Sequence, residues 1–504
     1  MKLYTAEQTK KVDNLAIKEK GSSGFSLMQK AAEFSLDVLI REFNYVEEVI
    51  VFCSKGKNSG DGFLVAAYAK EFGLKSTVVM CNPEKDLQGV QRKAFEDAKD
   101  SKVKFISFRA FKNSKPSKNT VIVDSLIGIG LKGEPRKNIE SAISEINKLS
   151  IKYPVLSLDI PSGICSNSGS SKGLSVEADV TATFIARKRG LYTSTGRRNS
   201  GDIFCSDLDV SKGIFNKVKS DCFEISFEKY LPKLFSRQDN AHKGNFGHVC
   251  VVGGDHGYGG AGILAAKAAM NVGSGLTSLV TRPEHVTASL TSCPEVMVNG
   301  VNSGQDSEEL LKNCNVIAIG PGLGQSAWSE QLLQRVYWEA EERDVPVIMD
   351  ADALNLLTKL KLSSKLPKNL VITPHPGEAA RLLKTDVADI EVDRFKSTLR
   401  LQEKFNATVV LKGAGSIIGY KKNGIMNYGI CSAGNPGMAK GGMGDTLTGI
   451  IAGLIAQGFK LNEASEIGVD LHSKAADLAS MEVGEIGLTP TDVIDAMREL
   501  IKYD

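Results

Sequence analysis

Several features of secreted, membrane-bound or nucleic-acid-binding proteins are missing from this sequence of 504 residues. The nine cysteines are scattered without a Cys-x-x-Cys pair, and an odd number of dispersed thiols is typical of a reduced cytosolic protein. No apolar run approaches the roughly 18 residues of a membrane span. Residues 1–20 are polar and lack the apolar core of a signal sequence. We therefore expect a cytoplasmic protein with no membrane partner.

Charge of one sign is also missing. The 62 lysines and arginines nearly balance the 59 aspartates and glutamates, which leaves a net charge of +3, and no basic block stands out. This balance does not favour a nucleic acid as partner. All six histidines lie at or beyond position 242, so a zinc or iron site is not expected in the first half.

The sequence does contain a regular alternation of short apolar strands and amphipathic helices. In the first half we predict strands at 49–53, 77–80, 120–124, 154–159 and 179–185, and helices at 5–17, 25–43, 61–72, 90–98 and 138–148. Near-continuous apolar strands that alternate with helices predict a parallel sheet covered on both faces. The length favours two domains, and the charged stretch at 211–241 predicts the boundary.

The second half repeats this style without repeating the sequence. Its predicted strands are 248–253, 276–281, 315–319, 345–350, 369–373 and 408–412. Two predicted helices, 260–272 and 445–457, are rich in alanine and glycine. We expect these helices to pack closely against the sheet.

The glycine-rich stretch 434–449 is the most informative feature of the chain. The apolar run after it predicts a buried helix, so Gly442 to Gly444 lie at a helix N-terminus, where free amides and the helix dipole favour an anion. Asp445 stands at the mouth of that anion site. A carboxylate repels phosphate, so its presence indicates a base that takes a proton from a substrate hydroxyl. The alternative is a glycine-rich turn in which Asp445 caps the helix.

Polar residues also follow the predicted strands of both halves. In the first half, 54–62 follows one strand, and Asp124 and Asp159 end two others. Because the carboxyl ends of parallel strands form the ligand crevice, oxygen ligands from Asn58, Asp124 and Ser162 suit a hard cation. Helix capping is the alternative for each aspartate. In the second half, 320–324, 350–354, 375–378 and 412–416 directly follow strands.

These motifs resemble those of the bifunctional NAD(P)H-hydrate repair enzymes. The resemblance covers nearly the whole chain and is most specific in the second half, in 242–248, 257–261, 350–354, 375–378 and 434–449. It implies a Rossmann-like three-layer α/β/α domain at 1–220, which acts as an NAD(P)HX epimerase. It also implies a ribokinase-like α/β domain at 221–504, which acts as an ADP-dependent NAD(P)HX dehydratase, and a homo-oligomer.

The same resemblance implies individual site residues. In the epimerase site, Asp159 and Lys188 would handle protons and Asn58, Asp124 and Ser162 would hold K⁺, while the hydrated dinucleotide would contact Lys57, Asn58, Ser59, Gly60, Asp61, Gly128, Ile129, Gly130, Leu131, Lys132, Gly133, Glu134 and Asp159. In the dehydratase site, Asp445 is the candidate base, and NAD(P)HX would contact Ala261, Gly324, His375 and Asp445. The adenine nucleotide, with Mg²⁺, would contact Lys412, Gly413, Ala414, Gly415, Ser416 and Gly444. Lys57 and Ser59 stand where relatives usually have Asn and Gly.

Two other functions share some of these features. A small-molecule kinase with a regulatory first domain would use the same anion site and Asp445, but it would consume ATP and leave a stable phosphate ester. A first half without catalytic activity would be a ligand- or protein-binding module. The joint presence of Asn58, Asp61, Asp124, Asp159 and Lys188 favours a working first site over that module.

Overall fold

The computed structural model of the protein describes residues 1–20, 23–131, 133–360 and 366–502. The chain divides into two compact units, Met1–Phe223 and Glu224–Asp504. Both are built from strands that alternate with helices, which confirms the α/β class. In the described part of the chain, no helix combines the length and the apolar character that crossing a membrane requires.

The first unit is a parallel sheet with helices on both faces. In chain order its elements are β1 (Lys2–Leu3), α1 (Ala6–Lys20), α2 (Gly24–Glu42), β2 (Glu48–Cys53), α3 (Lys57–Glu71), β3 (Lys75–Met80), α4 (Gly89–Asp100), β4 (Lys104–Ser107), α5 (Phe108–Phe111), β5 (Thr120–Ser125), α6 (Lys137–Leu149), β6 (Val155–Leu158), β7 (Val180–Phe184), α7 (Ser194–Asn199), β8 (Asp202–Ser206), α8 (Lys212–Asn216) and β9 (Cys222–Glu224), at which the division falls. The sheet order is β4-β3-β2-β5-β6-β7-β8, and neighbouring strands are parallel throughout. Strand order reverses between β2 and β5, and ligands bind at this position in open α/β sheets.

The strand β2 shows why both faces are covered. Val49, Val51 and Cys53 pack into the core with α2, α3 and α4, whereas Ile50 and Phe52 pack on the opposite face with α6. Successive strand residues point to opposite faces, so an apolar residue at every position requires helices on both sides.

The second unit has a mixed sheet. Its elements are α9 (Leu231–Leu234), β10 (His248–Val252), α10 (Gly259–Asn271), β11 (Leu276–Thr281), α11 (Val286–Ser292), β12 (Met297–Gly300), α12 (Glu308–Lys312), β13 (Val316–Ile319), α13 (Ala327–Arg343), β14 (Val347–Met349), α14 (Ala351–Leu360), β15 (Leu370–Ile372), α15 (Pro376–Leu383), α16 (Val387–Val392), α17 (Arg394–Phe405), β16 (Thr408–Leu411), β17 (Ile417–Lys422), β18 (Ile425–Ile430), α18 (Met443–Ala456), α19 (Leu461–Gly487) and α20 (Pro490–Leu500). From β18 the order is β18-β17-β16-β15-β14-β13-β10-β11-β12. The pairs β16–β17 and β17–β18 are antiparallel, and the others are parallel.

The predicted glycine-rich helices, α10 and α18, lie against each other. A side chain at Gly449 would collide with the carbonyl oxygen of Ala265, and one at Gly453 would collide with Val272. Close backbone approach therefore requires glycine at these two positions. The tight packing fixes the N-terminus of α18, where the predicted anion site lies.

The structure also corrects the predicted start of a helix. The sequence predicted a helix from 61, but α3 begins at Lys57, directly after Gly56. Residues 57–61 therefore form the first turn of a helix, and the loop before it is only Ser54 to Gly56. The first turn of α3, whose backbone amides have no partner within the helix, therefore lies close to the carboxyl end of β2.

Candidate active sites

A cavity of about 900 Å³ lies in the first unit. It is bounded by the segments that follow β2, β5, β6 and β7 and by one face of α1. Most of the residues predicted to contact the hydrated dinucleotide or to handle protons line this cavity. They are Lys57, Asn58, Asp61, Gly128, Ile129, Gly130, Leu131, Glu134, Asp159 and Lys188. As far as the structure describes the cavity, Ser59, Gly60 and Gly133 do not line it. Lys132 lies outside the described residues.

A buried ion pair forms one wall of this cavity. Lys188 is 1% exposed, and its Nζ lies 2.5 Å from Asp159 Oδ1. The same ammonium donates to Thr183 Oγ1 and to the carbonyl oxygen of Phe184, both at 2.8 Å. Three acceptors therefore use the three protons of Lys188. In this state Lys188 orients Asp159, and the carboxylate faces the cavity.

Asp159 is held in an uncommon backbone conformation. Its φ is +68°, in the left-handed region that non-glycine residues seldom adopt. Its Oδ2 accepts a hydrogen bond from the Ile129 amide at 3.1 Å. A side chain at Gly128 would lie 2.6 Å from that oxygen and 3.4 Å from the Asn58 side chain. Glycine at 128 thus lets the loop after β5 contact both polar residues.

Two more carboxyl groups share the cavity. Burial raises the pKa of Asp61 well above its usual value, and the negative charge of Asp159 adds to the rise. Burial also raises the pKa of Asp13, against the opposing effect of Lys57. Asp13 was not predicted as a site residue. In sequence this side of α1 resembles a solvated helix face, whereas in the structure Thr9, Lys10, Asp13, Asn14 and Ile17 line the cavity with the spacing of one helical face.

Two of the three predicted potassium ligands, Asp124 and Ser162, bond to each other, whereas the third, Asn58, does not share these bonds. Asp124 is fully buried and accepts four hydrogen bonds: from Ser162 Oγ and N, Ser157 Oγ and the Leu126 amide, at 2.6, 2.8, 2.9 and 3.2 Å. Asn58 differs, because within the described residues neither atom of its buried amide has a hydrogen-bond partner. A buried amide without a partner costs free energy unless a ligand satisfies it.

Ser59, which stands where relatives usually have glycine, connects two strand ends through its side chain. Its hydroxyl accepts from the Ser54 amide at 2.7 Å and donates to the Ser125 carbonyl oxygen at 2.8 Å. These bonds join the ends of β2 and β5 at the point where strand order reverses. The hydroxyl therefore stabilises the start of α3, which carries Lys57 and Asn58.

In the second unit, the centre of the predicted site is a second aspartate–lysine pair. Asp350, which follows β14, is 1% exposed, and its Oδ1 lies 2.6 Å from Lys412 Nζ. Its Oδ2 accepts from Thr448 Oγ1 of α18 at 2.9 Å. Although burial disfavours the charged form, Lys412 and these hydrogen bonds hold the pKa of Asp350 below its usual value. The pair joins β14, β16 and α18, and Asp350 was not among the predicted site residues.

The predicted anion site, at Gly442 to Gly444, lies beside the Asp350–Lys412 pair. Gly442, at φ +92°, precedes the first turn of α18, which contains Gly444 and Asp445. A side chain at Gly444 would lie 3.3 Å from Lys412 Nζ and 3.4 Å from Asp350 Oδ2. Burial raises the pKa of Asp445 to about 6, and the charge of Asp350 adds to the rise. A carboxylate with this pKa is a suitable base near neutral pH.

His375 is half exposed and also caps a helix. Its Nδ1 accepts from the Gly377 amide at 3.0 Å, and its own amide donates to Glu378 Oε2 at 2.8 Å. Burial raises the pKa of Glu378 to about 7, and its carboxylate lies 4.0 Å from Lys412 Nζ. These capping bonds fix the turn at His375, and its Nε2 lies 3.3 Å from Glu378 Oε1.

The remaining predicted residues also follow strands of this sheet. Gly413 and Ala414 are exposed just after β16, and Ser416 Oγ accepts from the Gly413 amide at 3.2 Å. Ala261 lies in the first turn of α10, within 3.0 Å of the position of a side chain at Gly322. Gly324 lies against Asp255, whose carboxylate accepts from Arg282 and Ser326 at 2.7 and 2.8 Å. Loops after β10, β13, β14, β15 and β16 therefore meet along one edge.

The two sites and the fold that carries them define a two-unit α/β enzyme. Its second unit has a ribokinase-like fold, as comparison with solved structures shows. A ribokinase-like superfamily protein from Enterococcus faecalis is similar to 56% of this chain, over 95% of its own length, with a TM-score of 0.50 and 31% identity. A protein of Streptococcus mutans is similar to 55% of the chain, over 98% of its length, with a TM-score of 0.51 and 31% identity.

Sequence comparison extends to the whole chain. The family described as the YjeF-related protein N-terminus matches 24–190, and the family described as NAD(P)H-hydrate dehydratase matches 249–499. Bifunctional NAD(P)H-hydrate repair enzymes of Coxiella burnetii and Vibrio cholerae are 42% and 36% identical, each over 99% of this chain and over 99% and 98% of their own lengths. The chain belongs to the family of bifunctional NAD(P)H-hydrate repair enzymes.

Proposed function

We propose that residues 1–220 interconvert the R and S forms of NAD(P)HX and that residues 221–504 dehydrate the S form with ADP, giving NAD(P)H, AMP and phosphate. The observation that carries the second activity is the placement of Asp445. It lies in the first turn of α18, next to Gly444 and the Asp350–Lys412 pair. A helix N-terminus binds phosphate, and the carboxylate at its mouth has a pKa of about 6.

Dehydration follows from these positions. Asp445 takes the proton of the substrate hydroxyl, and the resulting alkoxide attacks the terminal phosphoryl group of ADP over the amides of Gly442 to Gly444. Lys412 places a positive charge beside this loop. The bond between the two phosphates of ADP breaks, and AMP leaves. The phosphate ester then eliminates: the bond between the ring carbon and the ester oxygen breaks, the neighbouring ring carbon gives up a proton to water, and the double bond of the reduced nicotinamide forms as phosphate is released. Ala261, Gly324 and His375 contact the hydrated substrate, and Lys412 to Ser416 with Gly444 contact the nucleotide.

Magnesium suits this second site. Asp350 and Glu378 provide carboxylate oxygens 2.6 and 4.0 Å from Lys412 Nζ, and Mg²⁺ prefers such oxygens together with nucleotide phosphates. The ion would neutralise phosphate charge. The chain's own residues orient the two substrates and move the proton.

The first site suits acid–base exchange at the hydroxyl-bearing carbon of the hydrate. The carbon also carries the ring nitrogen, so loss and return of the hydroxyl group on opposite faces interconvert the two forms. Asp159 is the proposed proton-handling group, oriented by Lys188. Of the predicted contact residues, Lys57, Asn58, Asp61, Gly128 to Leu131 and Glu134 line the cavity and hold the dinucleotide, and Ser59, Gly60 and Gly133 support the segments that carry them.

A potassium ion fits the orphaned Asn58 amide. Its unpaired carbonyl oxygen, with the oxygens of Asp124 and Ser162, forms a donor set of oxygen alone, which suits a hard cation. The bound ion would fix the loops after β2, β5 and β6. We propose further that the protein works in the cytoplasm on small-molecule substrates as a homo-oligomer.

One assay tests both activities. The intact protein is supplied with purified S or R hydrate, Mg²⁺ and either ADP or ATP, and recovery of reduced-nicotinamide absorbance is followed. We expect rapid recovery from both epimers with ADP, and release of AMP and phosphate. A stable phosphorylated hydrate formed with ATP would instead indicate a kinase. Recovery limited to the S epimer would leave the first unit without epimerase activity.

A further inference from the structure

The first residue of α17 is a buried arginine that lies beneath the predicted nucleotide loop. Arg394 is 1% exposed and is among the largest fully buried side chains of the described chain. Its Nη2 donates to the carbonyl oxygens of Leu411 and Lys412, each at 3.0 Å. Its Nη1 lies 2.7 Å from Glu391 Oε1. The guanidinium therefore holds two successive carbonyls where β16 ends and the loop begins.

The loop backbone is shaped to fit this guanidinium. Gly413 has a φ of +141°, and a side chain there would lie 2.7 Å from Arg394 Nη1 and 2.9 Å from Nη2. Only glycine allows the chain to lie this close. Gly413 and Ala414 are exposed, so the loop has a covered side that contacts Arg394 and an open side. Lys412 extends from the same turn to Asp350.

Arg394 is an expensive way to stabilise a fold. Burying a guanidinium costs several kcal/mol, and well-packed apolar residues often replace buried ion pairs without loss of stability. The compensation here is incomplete, because Nε is buried without a hydrogen-bond partner among the described residues. The Glu391 side chain is 37% exposed, which weakens its attraction. A group of this kind is better explained by the backbone geometry that it imposes.

We propose that Arg394 is a positioning residue for the adenine nucleotide. It fixes Lys412 to Ser416 in the conformation that binds ADP, and it acts through the carbonyls of Leu411 and Lys412 without touching the nucleotide. This inference rests on the proposed dehydratase function. The two fail differently, because absence of ADP-dependent dehydration in the parent protein would remove the function, whereas Arg394 is tested by nucleotide binding.

The test uses three substitutions in the full-length protein. Arg394→Met keeps an apolar stem and removes the donors, and Arg394→Lys keeps the charge with a single nitrogen. Arg400→Met makes the same chemical change at an exposed position of α17. For each, we would measure kcat, the KM for ADP, the Kd for AMP by calorimetry, the melting temperature and the epimerase activity of the same sample.

We expect Arg394→Met to raise the KM for ADP and the Kd for AMP by about tenfold, the equivalent of about 1.4 kcal/mol, with kcat within about threefold of the parent. The KM and Kd of Arg394→Lys should lie between those of Arg394→Met and the parent, and those of Arg400→Met should match the parent. Epimerase activity should not change. A lowered melting temperature with parental KM and Kd would overturn the proposal. If Arg394→Met does not fold, parental nucleotide binding in Arg394→Lys would also overturn it.

Discussion

The two units use the same local device for different chemistry. Each has a buried aspartate–lysine pair at the ends of its strands, with N···O distances of 2.5 Å for Asp159–Lys188 and 2.6 Å for Asp350–Lys412. Lys188 is 1% exposed and has three acceptors, whereas Lys412 is 19% exposed and borders the glycine loop. In the enclosed pair, Lys188 orients the carboxylate of Asp159. The open pair leaves a positive charge where a phosphate can reach it.

The carboxyl groups outside these pairs differ as well. In the first unit, Asp13 and Asp61 face the same cavity as Asp159, and burial raises the pKa of both. In the second unit, Asp445 stands at a helix N-terminus, where its pKa is about 6. The first arrangement favours exchange of protons within one cavity. The second favours removal of one proton next to bound phosphate.

Removing the base of the second unit should have the largest effect. Asp445→Asn keeps the shape of the side chain but cannot accept the proton, so dehydration should fall by about a hundredfold or more. Epimerase activity in the same sample and ADP binding should stay near parental values. In the parent, the deprotonated base is active, so kcat should rise with pH through about 6. Near-parental turnover of the variant would remove the role assigned to Asp445.

Breaking the two pairs should separate stability from catalysis. Lys412→Met leaves Asp350 buried and without its cation, which should cost about 3–5 kcal/mol of stability. Lys188→Met leaves Asp159 beside a cavity that water can enter, so its stability loss should be smaller. Loss of the ammonium also removes the group that orients Asp159, so epimerase activity should fall while dehydration of the S hydrate should not change. Denaturant unfolding of both variants and the two activities measure this difference, and equal stability losses would contradict it.

Much of this arrangement could be predicted from sequence. Interior strands of both sheets, such as β2 and β13, are near-continuous apolar runs, and the residues that follow them mark the sites. Edge strands such as β4 and β12 were missed because their residues are only half-buried or exposed. The β17–β18 hairpin was missed despite its Asn423-Gly424 turn. Both turn residues have positive φ, as a two-residue hairpin requires.

The site residues that escaped prediction share one property. Asp13 does not follow a strand, as most of the predicted site residues do, but lies on a helix whose polar face resembles a solvated one. Arg394 looks like an ordinary charged residue at a helix start, and Asp350 looks like a helix cap. Their roles depend on which segments meet in three dimensions, and a single sequence does not contain that information.

Asp13 offers a test of the cavity itself. Asp13→Asn removes a titratable group from the wall that α1 contributes, so we expect epimerase activity to fall about tenfold, which is less than the hundredfold or more lost with a principal acid or base. Dehydration of the S hydrate should not change. Asp37→Asn, at an exposed position of α2, makes the same chemical change outside the cavity and should be silent. Equal activity of the two variants would exclude Asp13 from the reaction.

The smallest expected effect concerns the cation of the first unit. Asp124 already accepts four hydrogen bonds, so its replacement would disturb the turn whether or not an ion binds. Asn58→Ala is the cleaner change, because the amide has no partner among the described residues. At ten times its Kd, K⁺ should stabilise the parent by about 1.4 kcal/mol, a shift of about 3–6 °C in the temperature at which epimerase activity is lost. NaCl at equal ionic strength is the control for screening. If Asn58→Ala keeps the potassium-dependent shift, the ion binds elsewhere, and if the parent shows no shift beyond that in NaCl, the first unit does not use potassium.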